Sequence, residues 1–91
     1  MLEIEVENLV ELKEALDAAP DRILLDNFST EMLQDAVSIN QSYGCELEVS
    51  GGITIDNLAP IAATGVDFIS MGSLTKSVQA IDLSLLIREI L

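Results

Sequence analysis

The sequence has no histidine and no tryptophan, one cysteine, and four basic residues among its 91 residues. The single cysteine, Cys45, excludes a disulfide framework and a cysteine-based metal site, and it suits a reducing cytoplasm. No apolar run approaches the roughly 20 residues that a membrane span requires, so we expect no membrane partner. Without histidine, acid–base catalysis near neutral pH would fall to a carboxylate.

The charge is strongly acidic, with sixteen acidic residues against four basic ones and a net charge of −12. This balance would repel a phosphate backbone, so nucleic acid is excluded as a partner. Apolar residues make up 49% of the chain and aromatic residues 3%, which predicts an aliphatic core. The length allows one domain at most, 1–91.

A strand-like run is followed by a helix-period run four times along the chain. Spacing of roughly 20 residues between strand starts is typical of parallel strands joined by crossover helices. Asn8, Ser29 and Thr54 are placed to cap three of the helices, and Gly65 suits a helix stop. The predicted strands are 2–6, 22–27, 45–52 and 67–72, and the predicted helices are 7–19, 29–41, 54–65 and 80–91.

The strands alternate apolar and polar residues, although parallel strands covered on both faces should be continuously apolar. Leu2, Ile4 and Val6 alternate with glutamates, and so do Cys45 and Leu47. In a (β/α) barrel helices cover only the outside, so the polar face would point inward. We therefore predict an α/β fold, the parallel-sheet half of a (β/α) barrel closed by self-association. A two-layer sheet with a solvated far face and a three-layer sandwich are the alternatives.

Small polar residues end the predicted strands, where α/β sheets bind ligands. Ser50-Gly51-Gly52 precedes a helix start near Thr54, and glycine N–H groups with a helix amino end can bind phosphate. An ordinary tight turn is the simpler interpretation. A second small-residue turn at 71–75 includes Gly72 and Ser73, and two adjacent turns of this kind favour phosphate.

Three carboxylates, those of Glu5, Asp26 and Glu48, should line one face across three strands. Such carboxylates can bind Mg²⁺ through oxygen and water, or hold ribose hydroxyls.

Together these motifs resemble one family. The segments "ILLDNFS", "LEVSGGITIDNL", "GVDFISMGSLT" and "DLSL" are similar, in order and spacing, to the carboxyl-terminal half of quinolinate phosphoribosyltransferase. The resemblance covers essentially the whole chain. It implies a barrel domain that joins quinolinate to phosphoribosyl pyrophosphate with Mg²⁺ and releases nicotinate mononucleotide, pyrophosphate and CO₂ in NAD biosynthesis.

The resemblance also implies roles for individual residues. Glu5 and Asp26 would be catalytic, lying beside the ribose and the Mg²⁺-diphosphate. The residues expected to bind phosphate or substrate are Glu48, Ser50, Gly51, Gly52, Gly72 and Ser73.

The family's basic quinolinate-binding residues have no counterpart here, and of the four bases only Lys76 is expected near the site. Because electrostatic stabilisation dominates such catalysis, we expect the chain to be inactive alone. Met1 just before a strand suits an excised piece of a larger barrel domain. Exposed sheet edges predict a homodimer or larger homo-oligomer.

Two other functions stay open from the sequence. One is a ligand-free assembly module, a half-barrel that dimerises. The other is a flavodoxin-like, Mg²⁺-binding signalling domain, which would require a fifth strand that the sequence does not show.

Overall fold

The computed structural model describes residues 1–70, 78–83 and 85. Within those ranges no helix combines the length and hydropathy needed to cross a membrane. The elements are β1 (Glu3–Val6), α1 (Leu9–Asp17), β2 (Arg22–Asp26), α2 (Thr30–Asn40), β3 (Glu46–Ser50), α3 (Ile55–Ala62), β4 (Phe68–Ile69) and β5 (Val78–Gln79).

The strands form one sheet in the order β1-β2-β3-β4-β5. The first four strands are parallel, and β5 pairs antiparallel with β4. This confirms the predicted α/β fold, because consecutive parallel neighbours are what part of a (β/α) barrel requires. Closure into a barrel remains a prediction. The antiparallel β5 was not predicted, and a flavodoxin-like order of 2-1-3-4-5 is wrong for this sheet.

The apolar core lies on one face of the sheet, where the strands contribute Ile23, Leu25, Leu47, Val49 and Ile69. Helices α1, α2 and α3 pack against this face, through Leu12 and Leu16 of α1, Leu33 and Ala36 of α2, and Leu58 and Ile61 of α3. Of the predicted helix 80–91, the described residues 80–83 and 85 are helical. Among the described residues the helices are therefore not distributed over both faces, and the three-layer sandwich is wrong.

The predicted helix starts are confirmed. Asn8 Oδ1 accepts the Glu11 N–H at 2.8 Å, and Ser29 Oγ accepts the Met32 N–H at 3.2 Å. Glu11 completes the first cap by accepting the N–H of Glu7, one residue before the cap. The first helix is shorter than predicted, since it ends at Asp17 and the following Ala19 turns to a φ of 52°.

The opposite face of the sheet carries the polar side chains in three rows set by the strand register. The row at the amino ends of the strands contains Glu3, Arg22 and Glu46. The middle row contains Glu5, Leu24, Glu48 and Phe68. The row at the carboxyl ends contains Asp26 and Ser50.

Candidate functional site

Asp26 and Ser50 meet at the carboxyl ends of β2 and β3. They are partners in the strand register, and Ser50 Oγ donates a weak hydrogen bond to Asp26 Oδ1 at 3.4 Å. Both residues are half-buried, so their polar atoms can still reach a ligand. The structure thus brings together two of the side chains that the sequence singled out.

Gly51 follows Ser50 in a conformation that only glycine adopts readily, with a φ of +86°. A Cβ at this position would lie 2.5 Å from Asn27 Oδ1 and 2.8 Å from Asp26 Oδ1. The turn therefore packs its backbone directly against Asp26, which ends β2, and against Asn27, which follows it. Asn27 has a positive φ of 58°, and its N–H donates to the Ser50 carbonyl at 3.0 Å.

Gly52 also has a positive φ, of +66°, but a Cβ there would meet nothing within 4 Å. The backbone is thus open to a ligand at Gly52 and closed by neighbours at Gly51. The N–H groups of both glycines make no hydrogen bond to any residue that the structure describes. Such N–H groups are the donors that a phosphate needs.

The turn is tied to α3 by Asn57, a residue that the sequence analysis missed. Its side chain accepts the Thr54 N–H and donates to the Gly52 carbonyl, both at 2.8 Å. The predicted helix start at Thr54 is confirmed, but the Thr54 N–H is already bonded to Asn57 and is not available to a ligand. An Asn three residues after a Thr helix cap was the signal available in the sequence.

The first turn of α3 also carries the exposed carboxylate of Asp56. This charge stabilises the helix amino end but competes electrostatically with any anion bound there.

Glu5 lies on the same face but in the middle row, level with Leu24 and Glu48. Strand β2 separates it from Glu48, which places the two backbones about 10 Å apart. Glu5 is exposed and lies at the β1 edge of the sheet. The prediction that Glu5, Asp26 and Glu48 share one face is borne out by the register, although Glu5 and Asp26 occupy different rows.

Glu48 is buried, with 9% of its surface exposed, and its partner is Arg22. Arg22 Nη1 lies 3.1 Å from Glu48 Oε1, and Nη2 lies 3.3 Å from Glu46 Oε1. The far face of the sheet is therefore not a simple row of solvated acids. Arg22 was counted only as one of four bases in the sequence, and nothing local showed that it would reach β3.

The guanidinium also lies over the Phe68 ring, 3.9 Å from its centroid. Burial alone would lower the pKa of Arg22, but hydrogen bonds and charges from Glu48 and Glu46 outweigh it, and the pKa is raised. Arg22 thus keeps its charge throughout the working pH range.

The surroundings of Cys45 do not favour a nucleophilic thiolate. Burial raises the pKa of its thiol, and the nearby charges of Glu46, Asp21 and Asp67 raise it further. At neutral pH the thiol is protonated and unreactive.

Gly72 and Ser73, the second predicted phosphate turn at 71–75 and Lys76 lie outside the described residues. Among the residues that are described, no three acidic, histidine or cysteine side chains converge as direct ligands of a metal ion.

A sheet of successive parallel strands, with helices packed on one face and an amide-rich turn at the strand carboxyl ends, places the chain in the (β/α) class of proteins. Residues 1–86 match the family model described as quinolinate phosphoribosyl transferase, C-terminal domain. The chain belongs to this family.

Curated relatives agree with the match. The chain is 46% identical over 90 residues to the probable nicotinate-nucleotide pyrophosphorylase [carboxylating] of Methanocaldococcus jannaschii. It is 40% identical over 86 residues to the human nicotinate-nucleotide pyrophosphorylase [carboxylating]. Each match covers 92% of this chain, but only 32% and 29% of the respective relatives.

A solved structure of the nicotinate-nucleotide pyrophosphorylase from Francisella tularensis superimposes with a TM-score of 0.72 at 46% identity. The superposition covers 85% of this chain and 29% of the Francisella tularensis chain. The chain therefore spans about a third of the length of the relatives that it matches.

Proposed function

We propose that this chain supplies the phosphoribosyl-binding rim of a carboxylating nicotinate-nucleotide pyrophosphorylase. The reaction would join quinolinate to phosphoribosyl pyrophosphate, yielding nicotinate mononucleotide, CO₂ and pyrophosphate for NAD biosynthesis. The observation that carries the proposal is the Gly51-Gly52 turn, which is open at Gly52, packs against Asp26 and Asn27, and follows Ser50. A cytoplasmic location suits the single, protonated thiol of Cys45.

The backbone turn would bind the phosphate. The N–H groups of Gly51 and Gly52 make no hydrogen bond to a described residue, and the space beside the Gly52 Cα is open. Ser50 Oγ can turn from Asp26 to donate to a phosphate oxygen. Gly72 and Ser73 would add a second turn, as the family resemblance implies.

The carboxylates would bind the sugar and position the diphosphate. Glu48 and Glu5 lie one row deeper than Asp26, so they can reach ribose hydroxyls while the phosphate occupies the rim. Glu5 and Asp26 would be the catalytic carboxylates beside the anomeric carbon, where bond cleavage builds positive charge.

Mg²⁺ fits this site only as a companion of the substrate. The described residues offer separate carboxylates, and Mg²⁺ accepts one or two of these together with ligand phosphates and water. Asp26, with Glu5 through water, would hold the ion. When bound, Mg²⁺ would neutralise the leaving diphosphate.

The chain alone should not turn over quinolinate. Of the four bases, Arg22 is already paired with two glutamates, and Lys13 is exposed on α1, on the helix side of the sheet. Lys76 and Arg88 lie outside the described residues, and two polyanionic substrates would need more basic groups than the described part of the chain supplies. We expect most of them to come from another polypeptide segment.

Self-association is a second proposal, favoured by the outer edge of β1, which pairs with no strand in the described part of the chain. A homodimer could cover the polar faces of two half-barrels, in a purely structural assembly without ligand. Acidic faces would repel each other at low salt, so added salt should favour the dimer. Sedimentation at low and high salt tests this proposal, and a monomer at all concentrations and salts would refute it.

Calorimetric titration of the chain with phosphoribosyl pyrophosphate and Mg²⁺ tests the binding function. We expect millimolar or tighter binding that Ser50→Asp abolishes, because a second carboxylate beside Asp26 repels phosphate. Ser38→Asp adds the same charge on the exposed surface of α2 and should leave binding nearly unchanged. No binding to the unaltered chain at millimolar ligand would support the assembly module instead.

A further inference from the structure

Arg22 is the one base that the described structure places on the polar face of the sheet. It opens β2 in the amino-end row, between Glu3 and Glu46 in the register. Its side chain runs along the face toward the middle row, where it meets Glu48 and Phe68. Arg22 therefore links the amino-end row to the row next to the proposed binding rim.

The guanidinium is held on three sides. Its Nη1 donates a hydrogen bond to Glu48 Oε1, its Nη2 donates one to Glu46 Oε1, and the guanidinium lies over the Phe68 ring. Only 16% of the side chain is exposed. A planar fork held in this way keeps a fixed orientation, which a lysine ammonium group would not.

Glu48 depends on this contact for its own orientation. Its side chain is 11% exposed, and Arg22 is its ion-pair partner among the described residues. Arg22 binds Oε1, whereas Oε2 accepts no hydrogen bond from a described residue. Glu48 lies two residues before Ser50 on the same face of β3, about 7 Å along the strand. Oε2 is thus left to accept a hydrogen bond from a ligand.

We propose that Arg22 is a positioning residue, which fixes the Glu48 carboxylate so that Oε2 accepts a ribose hydroxyl. The proposal rests on the sugar-phosphate function given above. It divides the site into a phosphate-binding part, formed by the glycine turn, and a sugar-binding part. In the sugar-binding part Arg22 orients Glu48 from the amino-end side of the face.

The first measurement tests the positioning in the free chain. Three-bond scalar couplings of Glu48 should report one side-chain rotamer in the unaltered protein and averaged rotamers in Arg22→Leu. Lys13→Leu removes an equal charge from the exposed surface of α1 and should leave the Glu48 couplings unchanged. A single Glu48 rotamer in Arg22→Leu overturns the proposal, whatever the ligand results.

The second measurement tests whether Glu48 Oε2 binds a ribose hydroxyl, by comparing the affinities of ribose 5-phosphate and inorganic phosphate. Arg22→Leu should weaken ribose 5-phosphate about tenfold, the value of one hydrogen bond to a charged group, and leave phosphate nearly unchanged. Arg22→Lys should restore part of the loss because it keeps the charge. Equal weakening of both ligands would show a merely structural role and would overturn the proposal.

The two measurements separate this proposal from the proposed function. If neither ligand binds the unaltered chain, the sugar-phosphate function fails, and with it the use of Oε2 for ribose. Averaged Glu48 rotamers in Arg22→Leu would then still support the positioning of Glu48 by Arg22.

Discussion

The two ends of the polar face are built differently. At the amino end, Arg22 is clamped by two glutamates and an aromatic ring, with contacts of 3.1 and 3.3 Å. At the carboxyl end, Asp26 and Ser50 share one weak hydrogen bond of 3.4 Å beside an open glycine turn. The amino end pairs the two terminal nitrogens of Arg22 with glutamates and leaves only its buried Nε without a partner among the described residues, whereas the carboxyl end leaves several donors and acceptors available. This is the division between stability and binding expected of (β/α) sheets.

The largest expected effect comes from the glycine turn. Gly51→Ala should lower the free energy of unfolding by about 2–4 kcal/mol, because it adds a clash with Asn27 to an unfavourable φ. Gly52→Ala, with a similar φ but open space, should cost only about 1–2 kcal/mol. Urea unfolding measures both, and equal losses would show that the packing against β2 is unimportant.

The next effect concerns the paired glutamates. Glu48→Gln should lower the free energy of unfolding by about 1–2 kcal/mol, since it weakens a charge-assisted hydrogen bond that is shielded from water. Glu46→Gln breaks the same kind of pair at a side chain that is 48% exposed, and should cost less than about 0.5 kcal/mol. Urea unfolding of the two variants compares them directly. Similar losses of stability in the two variants would contradict the view that burial makes the Arg22–Glu48 pair contribute more than the Arg22–Glu46 pair.

A smaller effect is expected on ligand binding at the carboxyl end. Asp56→Asn removes a negative charge from the first turn of α3 and should tighten phosphate binding about two- to fivefold. Asp35→Asn makes the same change on the exposed surface of α2 and serves as the control. Calorimetric titration with inorganic phosphate measures both. Equal tightening would indicate a response to net charge rather than to a site at α3.

The smallest effect is the pH response of Cys45, beside the amino ends of the strands. Because its pKa is raised in the folded chain, the associated stability is present below the unfolded thiol pKa of about 8.5 and is lost as pH rises above it. The free energy of unfolding, relative to Cys45→Ala, should therefore fall in alkaline solution. Urea unfolding of both proteins at neutral and alkaline pH measures this, and a constant difference would contradict the burial of the thiol.

Much of the fold was predictable because its signals are local. Alternation along the strands assigned Val6 and Leu47 to the core and the glutamates to the other face, and the caps at Asn8 and Ser29 marked helix starts. The antiparallel β5 was missed because a two-residue strand has no periodicity of its own.

The candidate site was predictable in its residue types but not in its contacts. Ser50, Gly51 and Gly52 follow directly from the chain, because glycine is the residue that adopts their backbone angles. Asn57, which ties the turn to α3, and Asn27, which packs on Gly51, act across a turn or between strands. Their contacts depend on distances in the folded chain, which the spacing of residues along the sequence does not reveal.

The sequence by itself determined the strand and helix order, the acidic face and the glycine turn, since each depends on residues near one another along the chain. Only the tertiary structure decided which acids are paired. Arg22 reaches Glu48, 26 positions away, because the parallel register sets β2 beside β3. Buried charges require partners, and that requirement is met in space rather than along the chain.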